Sequence, residues 1–118
     1  MTKNIKFIDK IERLEAFEEQ FGIRLEALSV KLELYLDEDY SSFTVGGDVF
    51  AVNGTKIDQD IELVISCHDA AGKVLISKKH SIDAKSFSGI DTFSEEFYYA
   101  LLPFIGVEKV RIYPKLAE

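Results

Sequence analysis

The segment SCHDAAGKVLISKKH, Ser66 to His80, holds the single cysteine of the chain and both of its histidines, with Asp69 between them. A thiolate beside an imidazole is the pairing of a cysteine nucleophile, and Cys, His and Asp are all zinc ligands. Either chemistry needs side chains that converge. The segment instead has the pattern of a β-hairpin, in which HDAAGK is a type I turn with Ala70 and Ala71 central and Gly72 at positive φ as a bulge residue. Cys67 and His68, as neighbours on a strand, then point to opposite faces. Cys67 continues the inward series Ile61, Leu63, Ile65 and is expected to be a buried, unreactive thiol. Such a hairpin sets His68 across from Lys73, or from Val74 if one bulge intervenes, and His80 across from Ile61 or Glu62. The two imidazoles are then about six residues apart along the sheet, roughly 20 Å, too far for one zinc ion. No metal and no cofactor is expected.

Other polar groupings read as surface chemistry. Asp58, Asp60 and Glu62 fall on one face of a strand, but DQDIE lacks the glycine and the distant glutamate of a calcium loop. Glu62 has a cross-strand partner in Lys79 or His80, depending on register. Glu95 and Glu96 are adjacent, so their strand sends them to opposite sides, a poor arrangement for paired acid–base work. Asn53-Gly54-Thr55 matches a glycosylation triplet but is read as a hairpin turn. Gly46-Gly47 precedes a strand, not a helix, and makes no phosphate cradle. Lys109 and Arg111, opposite Val110 and Ile112, look like the charged, Pro-ended face of an edge strand.

The elements that position these residues change period once. Phe7, Ile8, Ile11, Leu14, Phe17 and Phe21 recur in steps of three and four, which predicts a helix from about 9 to 21. Asp9 and Glu12 have capping-box spacing, and Gly22 stands where a left-handed C-cap belongs. From Leu28 to Asp37 the period is two, the mark of a strand with one buried face. Further strands are predicted at about 43–52, 60–68, 74–82, 92–99 and 107–113, separated by turn-rich sequence. Strands without intervening helices point to an antiparallel immunoglobulin-like β-sandwich preceded by one helix, spanning 1–118 as a single domain. The helix then caps an end or an open edge; an α+β sheet covered by the helix is the alternative.

Composition narrows the functional classes. Fourteen Lys and Arg against 21 Asp and Glu give a net charge of −7. That balance disfavours nucleic acid and anionic membrane, whose binding draws on cation contacts to phosphate. One cysteine excludes an internal disulfide framework. The start MTKNIKFIDK lacks the apolar core of a signal peptide, and YYALLPFIGV, broken by Pro103, falls well short of the about 20 apolar residues that span a bilayer. A cytoplasmic protein is expected.

The run VGGDVFAVNGTKIDQDIELVISCHDAAGKVLISKKHSI resembles FxLYD-type immunoglobulin-like domains of bacteria, in which a strand ends at an Asp, turns through D-x-x-G-K-V and returns. The likeness covers roughly residues 43–113. It implies a binding or structural module and carries over no catalytic residue; the N-terminal helix and the absence of an export signal depart from it.

A non-enzymatic protein-binding module is therefore the first expectation. Its candidate contact residues are Asp37, Glu38 and Asp39, which with the helix glutamates offer an acidic surface to a basic partner, and Phe87 and Ile90 in the loop KSFSGID. Phe87 and Ile90 either tuck under or protrude, and only protruding would make them a hot spot. A small-molecule-binding or enzymatic sandwich is the alternative, with His68, Tyr98 or Tyr113 converging in a pocket between the sheets or under the helix. A helix packed against a second copy in a homodimer is the third reading.

Overall fold

The computed structural model describes residues 3–100 and 105–117. Among them the chain forms β1 (Lys3–Phe7), β2 (Ile11–Arg13), α1 (Glu15–Gln20), β3 (Ile23–Tyr35), β4 (Tyr40–Ala51), β5 (Ile61–His68), β6 (Val74–Ile82), β7 (Ile90–Ala100) and β8 (Lys109–Leu116). Two four-stranded sheets result, ordered β1-β3-β4-β7 and β2-β8-β5-β6. All pairings are antiparallel except β2 with β8. Leu32, Phe43 and Val45 of the first sheet and Leu63, Ile65 and Ile112 of the second are fully buried in one shared core. The architecture is the mainly-β sandwich that the alternating strands predict.

The sheets have the neighbour pattern of an immunoglobulin-type sandwich, but the chain enters it at a different strand. Here β3 and β4 form a hairpin within one sheet, whereas the second and third immunoglobulin strands lie in opposite sheets. The chain then crosses over after β4, β6 and β7. Asn53 and Gly54 (φ +77°) therefore sit in a crossover between sheets and not, as the sequence suggested, in a hairpin turn.

The helix is shorter than its apolar spacing predicts. Residues 11–13 are a strand and only Glu15–Gln20 coil. The cause is sheet pairing: the Ile8 N–H donates to the Val30 carbonyl and the Val110 N–H to the Lys10 carbonyl, at 3.0 Å each. Backbone bonds from β3 and β8 thus claim the segment before a helix does. Asp9 and Glu12 form no capping box; Glu12 instead ion-pairs with Arg111 and Lys109 across β2 and β8. The C-terminal stop is as expected, with Gly22 at φ +70° and its N–H on the Glu19 carbonyl.

β8 is a correction too. It lies inside the second sheet, between β2 and β5, so Lys109 and Arg111 face Glu12 rather than guard an edge. β2 covers only Val110–Ile112, which leaves Pro114 where a missing N–H costs no ladder bond.

β3 carries a bulge that the simple alternation hides. Glu26 pairs with Asp48 and Ser29 with Gly46, so Ala27 and Leu28 together oppose Gly47. Ala27 is left-handed at φ +54°. The extra residue switches the buried series from Ile23 and Leu25 to Val30, Leu32 and Leu34. A Cβ at Gly47 would stand 2.5 Å from Leu28 Cδ2, which would have to swing aside, and 3.2 Å from the Glu26 carbonyl.

Candidate functional site

The Cys–His segment folds as the expected hairpin. Gly72 takes φ +88°, the pairing shifts between Cys67 and His68, and His68 lies opposite Val74. Asp69 holds the turn, its Oδ1 accepting the N–H groups of Ala71 and Lys73 at 3.0 and 2.9 Å. Cys67 is fully buried, and burial pushes its thiol up to about 12. His68 faces the other side, where its Nε2 meets Ser66 Oγ at 2.9 Å and its Nδ1 the Gly72 carbonyl at 3.2 Å. Ser66 and His68 are both buried, at 6% and 3% exposure, and this hydroxyl–imidazole pair ties the hairpin together.

His80 sits further along than either register of the sequence reading allows, opposite Leu63, because Leu75 is an extra residue between the pairs His68–Val74 and Cys67–Ile76. It points inward at the open side of the sandwich, where β6 of one sheet meets β7 of the other. Its Nδ1 lies 2.7 Å from Glu95 Oε1, its Nε2 3.1 Å from Asp91 Oδ2, and its ring stacks on Phe93 at 4.8 Å. Lys78 extends the seam, over the rings of Phe97 and Tyr99. The signal for this clamp in the sequence is that Asp91, Phe93 and Glu95 share one face of a strand. Glu95 and Glu96 do part to opposite sides.

The outward side of the first sheet forms a second surface. The register aligns Tyr35 with Tyr40, and Ser42 with Tyr98, on one face. The Tyr35 and Tyr40 rings stack at 4.6 Å, and Tyr40 and Tyr98 at 6.1 Å, making a three-ring ladder across β3, β4 and β7. Each outer ring has a carboxylate two residues back: the Tyr35 hydroxyl donates to Glu33 and the Tyr98 hydroxyl to Glu96. These bonds push Tyr35 up to about 12 and raise Tyr98, while the Tyr35 hydroxyl and then Lys31 lower Glu33. Ile5 and Phe7 of β1 stand exposed on the same face, Phe7 at 67%.

Asp37, Glu38 and Asp39 are exposed in the turn directly beyond the Tyr35–Tyr40 pair, with Asp39 at φ +50°. The acidic turn and the tyrosine ladder are therefore one continuous surface. A turn separates Tyr35 from Tyr40 in the sequence; their equal distance from its centre is the signal that pairs them.

Phe87 is corrected as a contact residue: it is buried and joins the core. Its loop is drawn down by the Ala84 N–H on Asp60 Oδ1 at 2.8 Å and by Gly89, at φ +111°, packed against Thr55. Ile90 remains exposed at the start of β7. Two of the four N-terminal glutamates drop out of the acidic surface, while Glu15 and Glu19 stay exposed on α1. Glu18 is buried, bound bidentately by Arg13 at 2.7 and 3.0 Å and by the Leu25 N–H at 3.0 Å. Glu12 is taken by Arg111.

His68, Tyr98 and Tyr113 do not converge. His68 and Tyr113 belong to the second sheet, Tyr113 edge-on to Phe17, and Tyr98 to the first. Beside α1 a shallow polar cleft of about 300 Å³ is lined by Glu19, Gln20, Asn53, Lys56, Asp58 and Gln59. Among the described residues no group of three or more His, Cys, Asp or Glu is arranged to hold a metal ion, and no helix is long and apolar enough to cross a membrane.

No family model matches the chain and no curated protein matches it. Among solved structures, it is similar to a crystal structure of Amycolatopsis orientalis exo-chitosanase CsxA, with a TM-score of 0.38 and 20% identity. The match covers 68% of this chain and 8% of the exo-chitosanase chain.

Proposed function

We propose that this protein is a non-enzymatic binding module that docks a basic protein partner on the outward face of the β1-β3-β4-β7 sheet. One observation carries the proposal: the ladder Tyr35–Tyr40–Tyr98 runs without interruption into the acidic turn Asp37–Asp39. Tyrosine offers large contact area with little rotamer freedom to lose, and it is enriched where interfaces concentrate their energy. Carboxylates around it select a cationic partner and speed its encounter. A non-catalytic role is supported by the occupied state of the nucleophile and base groups, with Ser66 and His68 buried against each other and His80 held by two carboxylates.

The test is capture of partners from native lysate by the tagged chain, by Tyr40→Ala and by Asp37→Asn/Glu38→Gln/Asp39→Asn. A partner taken by the wild type, lost with Tyr40→Ala and weakened by the turn variant or by added salt is the expected result. A partner retained equally by all three chains moves the site off this face.

A further inference from the structure

The tyrosine ladder is built almost symmetrically about Tyr40, and one half is complete while the other is not. On the β3 side, Tyr35 donates to Glu33, and β1 places Lys3 opposite Tyr35. Lys3 Nζ lies 5.9 Å above the Tyr35 ring and 3.7 Å from Glu33 Oε2, so one lysine satisfies ring and carboxylate together. On the β7 side, Tyr98 donates to Glu96 in the same two-residue spacing, and its ring also stacks on Tyr40. Glu96 otherwise faces the hydroxyls of Ser42 and Thr44 and, among the described residues, makes no ion pair. The difference is one of strand order. β3 has β1 beside it, whereas β7 is the last strand of its sheet.

We infer that β7 accepts a fifth strand: an extended, lysine-bearing segment of a partner protein, running antiparallel to β7 with the lysine opposite Tyr98. The lysine lies over the Tyr98 ring and against Glu96, as Lys3 does with Tyr35 and Glu33. Main-chain bonds to the open side of β7 supply affinity, and the lysine fixes register. The other side chains of β7 leave room for this. Asp91, Glu95 and Tyr99 point inward to His80 and Lys78, and Glu96 and Tyr98 point outward. The inference rests on the docking face proposed above and names what occupies its open end.

The probe is a synthetic peptide of β1 and the residue after it, KNIKFI (residues 3–8), acetylated and amidated, titrated into the full ¹⁵N-labelled chain and followed by amide chemical shifts. Shifts concentrated at residues 92–100 are expected. A peptide with norleucine in place of its first lysine, or the Glu96→Gln protein, should bind about two- to fivefold more weakly, the worth of an exposed cation–π contact. Equal binding of the lysine and norleucine peptides overturns the inference. So do shifts centred on residues 31–35, which would mean exchange with β1, and so does no shift at millimolar peptide. If the peptide misses β7 while Tyr40→Ala still abolishes partner capture, the docking face stands and the added strand falls.

Discussion

Tyr35 and Glu33 show how a pair two residues apart on a strand reshapes its own chemistry. The hydroxyl donates to the carboxylate, so ionising the phenol would set two negative charges side by side, and Tyr35 is held up to about 12. Tyr98 is raised for the same reason by Glu96. In an alkaline titration followed by tyrosinate absorbance, Glu33→Gln should therefore move the ionisation of Tyr35 to lower pH. If the titration of Glu33→Gln overlays that of the wild type, the hydroxyl–carboxylate bond is not formed. His80 acts at the same scale between the sheets. His80→Ala should lower stability by about 1–2 kcal/mol, less than a fully buried charged hydrogen bond because both carboxylates are partly exposed. The urea midpoint measures this, and an unchanged midpoint would mean that the seam between β6 and β7 is held without it.

Among the elements, strands with an alternating apolar series toward the core are legible in the sequence and those bounded by sheet pairing are not. Leu63, Ile65 and Cys67 alternate with outward residues, and β5 begins and ends within one residue of the sequence reading. The segment from Asp9 to Leu14 is ambiguous in sequence because its apolar spacing serves a helix and a core-facing strand equally well. Backbone partners on β3 and β8, distant in sequence, decide between them. The β3 bulge is hidden for the same reason, since it is defined by pairing with Gly47 across the sheet. Gly47→Ala should cost about 1–3 kcal/mol through overpacking against Leu28 and the Glu26 carbonyl. Leu28→Ala in that background should recover part of the loss. Additive losses in a double-mutant cycle would contradict the contact. For the binding surface, Asp37–Asp39 could be picked out by charge alone, but Phe87 could not be placed without the loop bonds that draw it inward.

At the scale of the whole molecule the charged pairs set a pH range. The Arg111 hydrogen bond holds Glu12 below the usual carboxylate value of 4.5, and Glu33 is likewise lowered. Groups depressed in the fold contribute stability that is present above the unfolded value and lost as pH falls through the folded one. Cys67 and Tyr35, both raised to about 12, contribute stability present below their ordinary values of 9.0 and 10.0 and lost as pH climbs toward 12. Urea midpoints should thus be flat between about pH 5 and pH 9 and fall on both sides. A midpoint that rises below pH 4 would contradict the Glu12 and Glu33 pairings.

The central place of β8 in its sheet governs how the chain is made. A ribosome releases residues in order, yet β2, threaded near the start, and β5, from the middle, both bond to a strand that spans Lys109–Leu116. Until that strand emerges, the β5–β6 hairpin has an unpaired flank and an uncovered apolar face. Nascent chains stalled before residue 109 are consequently the form most exposed to chaperones and to sticking, and completion of the second sheet waits on β8.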